Sequence, residues 1–230
     1  MKTIGLIGGM SWESTTLYYQ IINREVARRL GGLSSARMNL VSLDFEDIAQ
    51  RQRAGDWDGM AGILCDAARR LSDTGADCLL IGTNTMHQLA PQVQAATDVP
   101  LIHIADVTAD AILAQGLDTV GLMGTRFTME RAFYVERLAQ RGIRCVLPDE
   151  VQRLEIHRII FEELCRGELH DVSRQWFTDC ITDLQSRGAQ GVVLGCTELP
   201  LIIRPEDSPI PTFDTTALHA LAAVEFSLAN

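Results

Sequence analysis

One phrase of this chain occurs twice. LSDTGADCLLIGTNT, Leu71 to Thr85, returns as LQSRGAQGVVLGCTE, Leu184 to Glu198, at a constant offset that pairs Leu71 with Leu184, Gly75 with Gly188, Ala76 with Ala189 and Gly82 with Gly195. Two further echoes keep the same order at nearly the same spacing: IGLIGG (Ile4 to Gly9) with VGLMGT (Val120 to Thr125), and VPLIHI (Val99 to Ile104) with IPTFDT (Ile210 to Thr215). Around them, short β-branched or Leu-rich runs (TIGLIG, MNLVSLDF, DCLLIG, TVGLMG, IRCVLP, QGVVLG) alternate with longer amphipathic stretches such as Ser14 to Leu30 and Trp57 to Gly75. That alternation builds parallel sheets with helices on both faces. The expected fold is α/β with two pseudo-symmetric lobes, residues 1–99 plus 206–230 forming the first and residues 100–205 the second. The alternative is one continuous doubly wound sheet whose βα units look alike because all such units do. Either fold binds ligands at the carboxyl ends of its strands.

Charge narrows what that ligand is. The 230 residues carry 20 basic against 30 acidic side chains, a formal charge of -10, with no basic cluster beyond pairs such as Arg28-Arg29 and Arg69-Arg70. This argues against nucleic acid or an anionic membrane and for a small molecule. The stretch longest without a charged residue, Cys78 to Thr97, holds Asn84, His87 and three Gln, so no transmembrane helix is expected. MKTIGLIGGM reads as a first strand rather than a secretion signal. Six cysteines without any C-x-x-C pair fit free thiols in a reducing cytoplasm.

Four strand ends run into a glycine followed by small polar residues: GGMS (Gly8 to Ser11), GTNT (Gly82 to Thr85), GTRFT (Gly124 to Thr128) and GCTE (Gly195 to Glu198). Each sets backbone N–H groups and hydroxyls at an expected helix start, a setting suited to a carboxylate. Thr85 with Gln88 also fits a capping box, which explains Thr85 without any ligand. None of the four is a full phosphate-binding fingerprint. They contain no lysine to anchor a Schiff-base cofactor, and no H-x-x-x-H or acidic-His cluster supports a metal. The histidines, His87, His103, His157, His170 and His219, are individually ambiguous: a lone histidine is explained better by packing or a surface position than by ligation, and His87 stays open as a base for the thiol.

Cys196 differs from the other cysteines by following an apolar strand and a glycine and preceding an expected helix. There the helix dipole and loop amides favour the thiolate. Cys65, Cys78 and Cys180 lie at apolar phases and Cys145 in a strand, where filling the core accounts for them. Cys196 too could be a small buried hydrophobe. The repeat sets Thr83 at the equivalent place, which gives two proton-carrying side chains in matching turns. One thiol and one opposing donor suit acid/base work at a carbon.

With GLIGGMSWEST, TNTMH, GTRFTM, IIFEEL and GCTE in this order, the chain resembles the cofactor-independent aspartate/glutamate racemases over almost its whole length. The resemblance implies two α/β lobes with the active site between them, a homodimer, an amino-acid substrate, and catalysis without pyridoxal phosphate or metal. Two acid/base residues, typically both cysteines, act on opposite faces of the α-carbon. By motif these are Thr83 and Cys196. Substrate contacts are expected from Met10, Gln52, Asn84, Thr85, Thr125 and Thr197.

Two departures from the family pattern bear on activity. Thr83 stands where a cysteine is usual, and a hydroxyl is a far weaker acid than a thiol. By family analogy the second-lobe thiol acts on the L-enantiomer, so L-to-D conversion is expected to be kinetically favoured while the equilibrium constant stays at one. Some aspartate racemases carry a lysine for the distal carboxylate in the segment corresponding to FEELCRG, where this chain has Cys165 with Arg166 beside it. Either Arg166 substitutes, or neutral side chains such as that of homoserine are accepted. Two other activities compete: a malonate-type decarboxylase of the same superfamily, and a non-catalytic amino-acid binding protein that lost the chemistry with the first cysteine.

Overall fold

The computed structural model describes residues 1–229, and its seven strands form two separate parallel sheets rather than one. The strands are β1 (Ile4–Gly8), β2 (Met38–Ser42), β3 (Cys78–Ile81), β4 (Thr119–Gly124), β5 (Arg144–Val146), β6 (Gly191–Gly195) and β7 (Thr212–Asp214). The first sheet has the order β2-β1-β3 and the second β5-β4-β6-β7. The repeat seen in the sequence is a repeat of topology. β1 pairs with β3 as β4 pairs with β6, and Leu101 makes an isolated parallel bridge to Leu79 where β7 pairs with β6 through Val192↔Thr212.

The chain divides into two compact units, Met1–His103 with the stretch from His219 onward, and Ile104–Leu218. These bounds differ from the expected 1–99 plus 206–230 and 100–205. Residues 100–103 stay with the first sheet because Leu79 N–H donates to the Pro100 carbonyl and Ile102 N–H to that of Leu79, at 2.9 and 3.0 Å. Residues 206–218 stay with the second because β6 offers a sheet edge and β7 takes it, Val192 N–H donating to Pro211 O at 2.8 Å. Only from His219 does the last segment belong to the first unit, where Ala220, Ala223 and Val224 pack with Ile4, Leu6, Cys78 and Leu80.

Both sheets are buried as parallel sheets require, with every residue of β1, β3, β4 and β6 out of solvent. The paired leucines of the repeat do the same work twice. Leu71 and Leu184 are 1% and 0% exposed, and each such burial contributes about 1.5–3 kcal/mol. Helices begin where the sequence supplies caps: Ser11 accepts from Ser14 N–H ahead of the helix Trp12–Leu30, and Asp149 closes a capping box with Gln152 ahead of Glu150–Glu162. Among the described residues no helix is long and apolar enough to cross a membrane.

Candidate active site

In the second unit, β4 and β6 lie in register to their ends, Gly124 opposite Gly195. A Cβ on Gly124 would sit 2.7 Å from the Gly195 carbonyl oxygen, so only glycine lets the two strand ends come this close. The residues that follow are therefore neighbours: Thr125 after β4, and Cys196, Thr197 and Glu198 after β6. Thr125 is 6% exposed and caps the helix Arg126–Glu130, its hydroxyl accepting from Thr128 N–H at 3.3 Å.

The GCTE turn closes on its own carboxylate. The Cys196 thiol donates to Glu198 Oε2 at 3.0 Å, and the Thr197 hydroxyl donates to the same oxygen at 2.9 Å. All three residues are buried, Cys196 at 7%, Thr197 at 2% and Glu198 at 3% exposure. Burial, then the negative charge of Glu198, then Cys165, push the Cys196 thiol well above the ordinary cysteine range, although the Glu198 backbone N–H works the other way. The expected thiolate is thus a neutral thiol here. The helix that was to favour the anion, Leu199–Ile202, is a four-residue turn starting three residues on, too short and too late to outweigh a carboxylate at hydrogen-bond distance.

Cys165 lies in the 3₁₀ turn Leu164–Arg166 and packs against the core cluster that contains Cys196. Its thiol is also pushed up, by burial first and by Glu198 second. Arg166 is exposed on the same turn.

In the first unit the corresponding edge is formed by β1 and β3. Gly82 N–H donates to Ile7 O and Thr83 N–H to Ile81 O, both at 2.8 Å, so the GTNT turn starts beside GGMS. Thr83 is half-buried, while Asn84 and Thr85 are buried at 2% and 5% exposure. The capping box between Thr85 and Gln88 does not form. Thr85 opens a 3₁₀ helix, Thr85–Leu89, whose cap position falls to Asn84 without a side-chain cap bond. Met10 is 4% exposed and packs in the apolar cluster with Ile7, Ile48 and Met86, so its side chain is a core group. Gln52 is buried at 7% on the helix Phe45–Ala54, while Arg51 and Arg53 are taken up by ion pairs with Asp47, Asp56 and Glu46.

The structure thus gathers Thr125, Cys196 and Thr197 at one sheet edge, and Met10, Thr83, Asn84 and Thr85 at the other. Glu198 was visible in the sequence only as the last letter of a motif. The signal that could have found it is an acidic residue two positions after a strand-end cysteine, close enough for a one-turn hydrogen bond. The histidines also combine. His87, His103 and His219, with exposures of 2%, 8% and 0%, form one buried cluster in the first unit.

Comparison with known proteins gives a consistent result. The profile of the Asp/Glu/hydantoin racemases matches residues 7–223. The broad specificity amino-acid racemase RacX of Bacillus subtilis is 26% identical over 230 residues, covering 98% of each chain. A solved structure from Yersinia pestis, described as that of a proposed Asp/Glu racemase, is 48% identical over 100% of both chains with a TM-score of 0.93. An aspartate racemase homologue from Pyrococcus horikoshii OT3 is 35% identical, again over 100% of both, with a TM-score of 0.85.

Proposed function

The chain belongs to the Asp/Glu/hydantoin racemase family and is an amino-acid racemase, an isomerase, and from that premise we propose that it inverts the α-carbon of aspartate, glutamate or a neutral relative such as homoserine by two-base proton transfer, without pyridoxal phosphate or metal. Cys196 serves one face of the α-carbon and Thr83 the other.

The observation that carries this reading is the thiol–carboxylate pair, Cys196 Sγ 3.0 Å from Glu198 Oε2. A neutral thiol cannot abstract an α-proton, and it needs an acceptor for its own proton first. Glu198 is that acceptor. The thiol proton passes to the carboxylate, the resulting thiolate removes the α-proton of the L-enantiomer, and the electron pair left behind delocalises into the substrate carboxylate as an enediolate-like carbanion. The positive α-ammonium group of the substrate, brought beside the thiolate, offsets the charge that burial penalises. Thr83 then delivers its hydroxyl proton to the other face, and the cycle closes when solvent takes the proton held by Glu198 and returns one to the Thr83 alkoxide. Thr197, Asn84 and Thr85 hold the α-carboxylate with hydroxyl, amide and backbone donors; the main chain of Met10 and the side chains of Gln52 and Thr125 complete the contacts.

An equilibrium constant of one requires equal kcat/KM for the two enantiomers. The expected advantage of the L-to-D direction is therefore a difference in kcat matched by one in KM. For the distal group, Cys165 offers a thiol kept neutral by its surroundings in the neighbourhood of Glu198, with no cation in its place. This supports acceptance of uncharged side chains. By family likeness the active form is a homodimer in the cytoplasm, and all six cysteines are unpaired thiols, as a reducing compartment allows.

Chiral analysis after incubation with L-aspartate, L-glutamate and L-homoserine in deuterium oxide tests the reading. Appearance of the α-deuterated D-enantiomer, abolished in Cys196→Ala, is expected. Release of carbon dioxide from a malonate without inversion of any amino acid would replace it with the decarboxylase reading.

A further inference from the structure

His87 takes no part in the chemistry above, yet it is buried and its imidazole Nδ1 lies 2.8 Å from the backbone carbonyl oxygen of Thr83. A carbonyl can only accept, so Nδ1 carries the hydrogen and donates. Behind it stands His219, fully buried, with ring centroids 5.4 Å apart at 67°. His219 Nε2 lies 2.8 Å from the Ile102 carbonyl oxygen and therefore donates there, which leaves Nδ1 to accept the Tyr18 hydroxyl proton at 2.8 Å. The tautomer of His219 is thus fixed by its two partners. Burial also lowers its pKa to about 4, so it stays neutral near neutral pH. His103 closes the cluster with its ring edge-on to His87 at 4.7 Å and 61°.

These four side chains come from four places in the chain: the long first helix (Tyr18), the 3₁₀ turn after β3 (His87), the end of the Leu101 bridge segment (His103), and the last helix (His219). Every one lies in the first unit. Packing alone does not require two imidazoles and a phenol with matched donors and acceptors, since apolar side chains would fill the same space without hydrogen bonds to satisfy. Through His87 the network grips the main chain of Thr83, the residue whose hydroxyl serves the second face of the substrate.

We propose that His87 is a positioning residue for Thr83, its Nδ1–H fixing the Thr83 carbonyl and with it the direction of the Thr83 hydroxyl, and that His219 and Tyr18 hold His87 in place. The proposal rests on the racemase reading for its kinetic consequence but not for its structural one. Loss of the donor removes the hydrogen bond to the half-buried Thr83 carbonyl and frees the turn. The Thr83 half of the reaction then weakens, while proton exchange at the other face, driven by Cys196 and Glu198, is untouched.

The test compares His87→Leu with His87→Asn, because the Asn amide nitrogen occupies nearly the place of Nδ1. In deuterium oxide, His87→Leu is expected to slow inversion of the L-substrate about 10- to 100-fold, and to leave α-deuterium exchange with retention within about twofold of the parent. His87→Asn is expected to recover most of the inversion. Tyr18→Phe, which loosens the network without touching the turn, lowers inversion in the same sense by a smaller factor and serves if His87→Leu does not fold. Equal losses of inversion and retention exchange, or an Asn variant no better than the Leu variant, would overturn the proposal. Native-state hydrogen exchange judges it apart from activity. The Thr83 amide is expected to lose protection about tenfold or more in His87→Leu and to keep it in His87→Asn, and unchanged protection in both would overturn it even if no amino acid were turned over. Absence of α-exchange in the parent protein, with the protection result as expected, would instead sink the reaction and leave the positioning intact.

Discussion

Replacing Glu198 by Gln removes a negative charge 3.0 Å from the Cys196 sulfur while keeping the size of the side chain and an oxygen that can still accept from Cys196 and Thr197. Two consequences follow with opposite signs. Glu198 is the second cause, after burial, holding the thiol up, so in E198Q the thiol titrates lower than in the parent. The same substitution removes the acceptor for the thiol proton. A hydrogen bond to a charged group contributes roughly 1.5–3 kcal/mol, and about 2 kcal/mol of lost stabilisation in the proton-transfer step is about a 30-fold fall in kcat at neutral pH. The parent, with its base built in, keeps a flat profile around neutrality. E198Q depends on bulk deprotonation and gains about tenfold in rate per pH unit until its own thiol has titrated. Racemase activity across pH, together with thiolate ultraviolet absorbance read as a difference against Cys196→Ser, measures both effects. A parent-like kcat and flat profile in E198Q, or a thiol that titrates no lower than before, would refute the reasoning.

Other substitutions and conditions give equally definite expectations. Thr83→Ala is expected to cut inversion of the L-substrate by about 10²-fold or more and to spare its α-deuterium exchange with retention, whereas Thr83→Cys raises exchange of the D-enantiomer; proton NMR of each enantiomer in deuterium oxide reads both. Acid stability carries the mark of His219, whose folded pKa is lowered to about 4 from an ordinary 6.5. A depressed folded pKa contributes stability that is complete above 6.5 and lost as pH falls toward 4, so the Tm should drop through that window. Alkaline stability has the reverse sign. Burial raises the thiols of Cys78, Cys145 and Cys180 to about 12 each, so the stability they contribute is present below pH 9 and is lost as pH rises toward 12. Thermal melts across pH check both limbs, and Cys180→Ala should flatten the upper one.

The parts of the molecule readable from the chain were those that the repeat and the alternation of elements encode. The pairing of Leu71 with Leu184 and of Gly82 with Gly195 already implied matching strand-to-turn units, and both leucines are buried under matching sheets. The expected division near Pro100 and Pro205 differs from the compact units of the fold because a break in composition does not say which sheet edge a short strand will join. Leu101 and Phe213 each add to the edge nearest their own unit. The charge of the Cys196 thiol was not legible, since a helix start was visible and the orientation of the Glu198 carboxylate, which with burial keeps the thiol neutral, was not. Side-chain direction within a tight turn leaves no periodic trace. Tyr18 and His219 stand at opposite ends of the chain and meet only in the fold, and the role of His87 depends on that meeting.

The central claim is that two different groups work on the two faces of the α-carbon, and the isotope carried by the first product molecules tests it most directly. Protiated L-aspartate, or whichever L-amino acid proves active, is incubated in deuterium oxide and the D-enantiomer is collected at the earliest measurable conversion. A proton removed by Cys196 cannot be the one delivered from Thr83, so the account predicts D-product carrying deuterium at the α-carbon from the outset. D-product that retains a substantial fraction of the substrate's own α-proton would mean that one group serves both faces, and would contradict it.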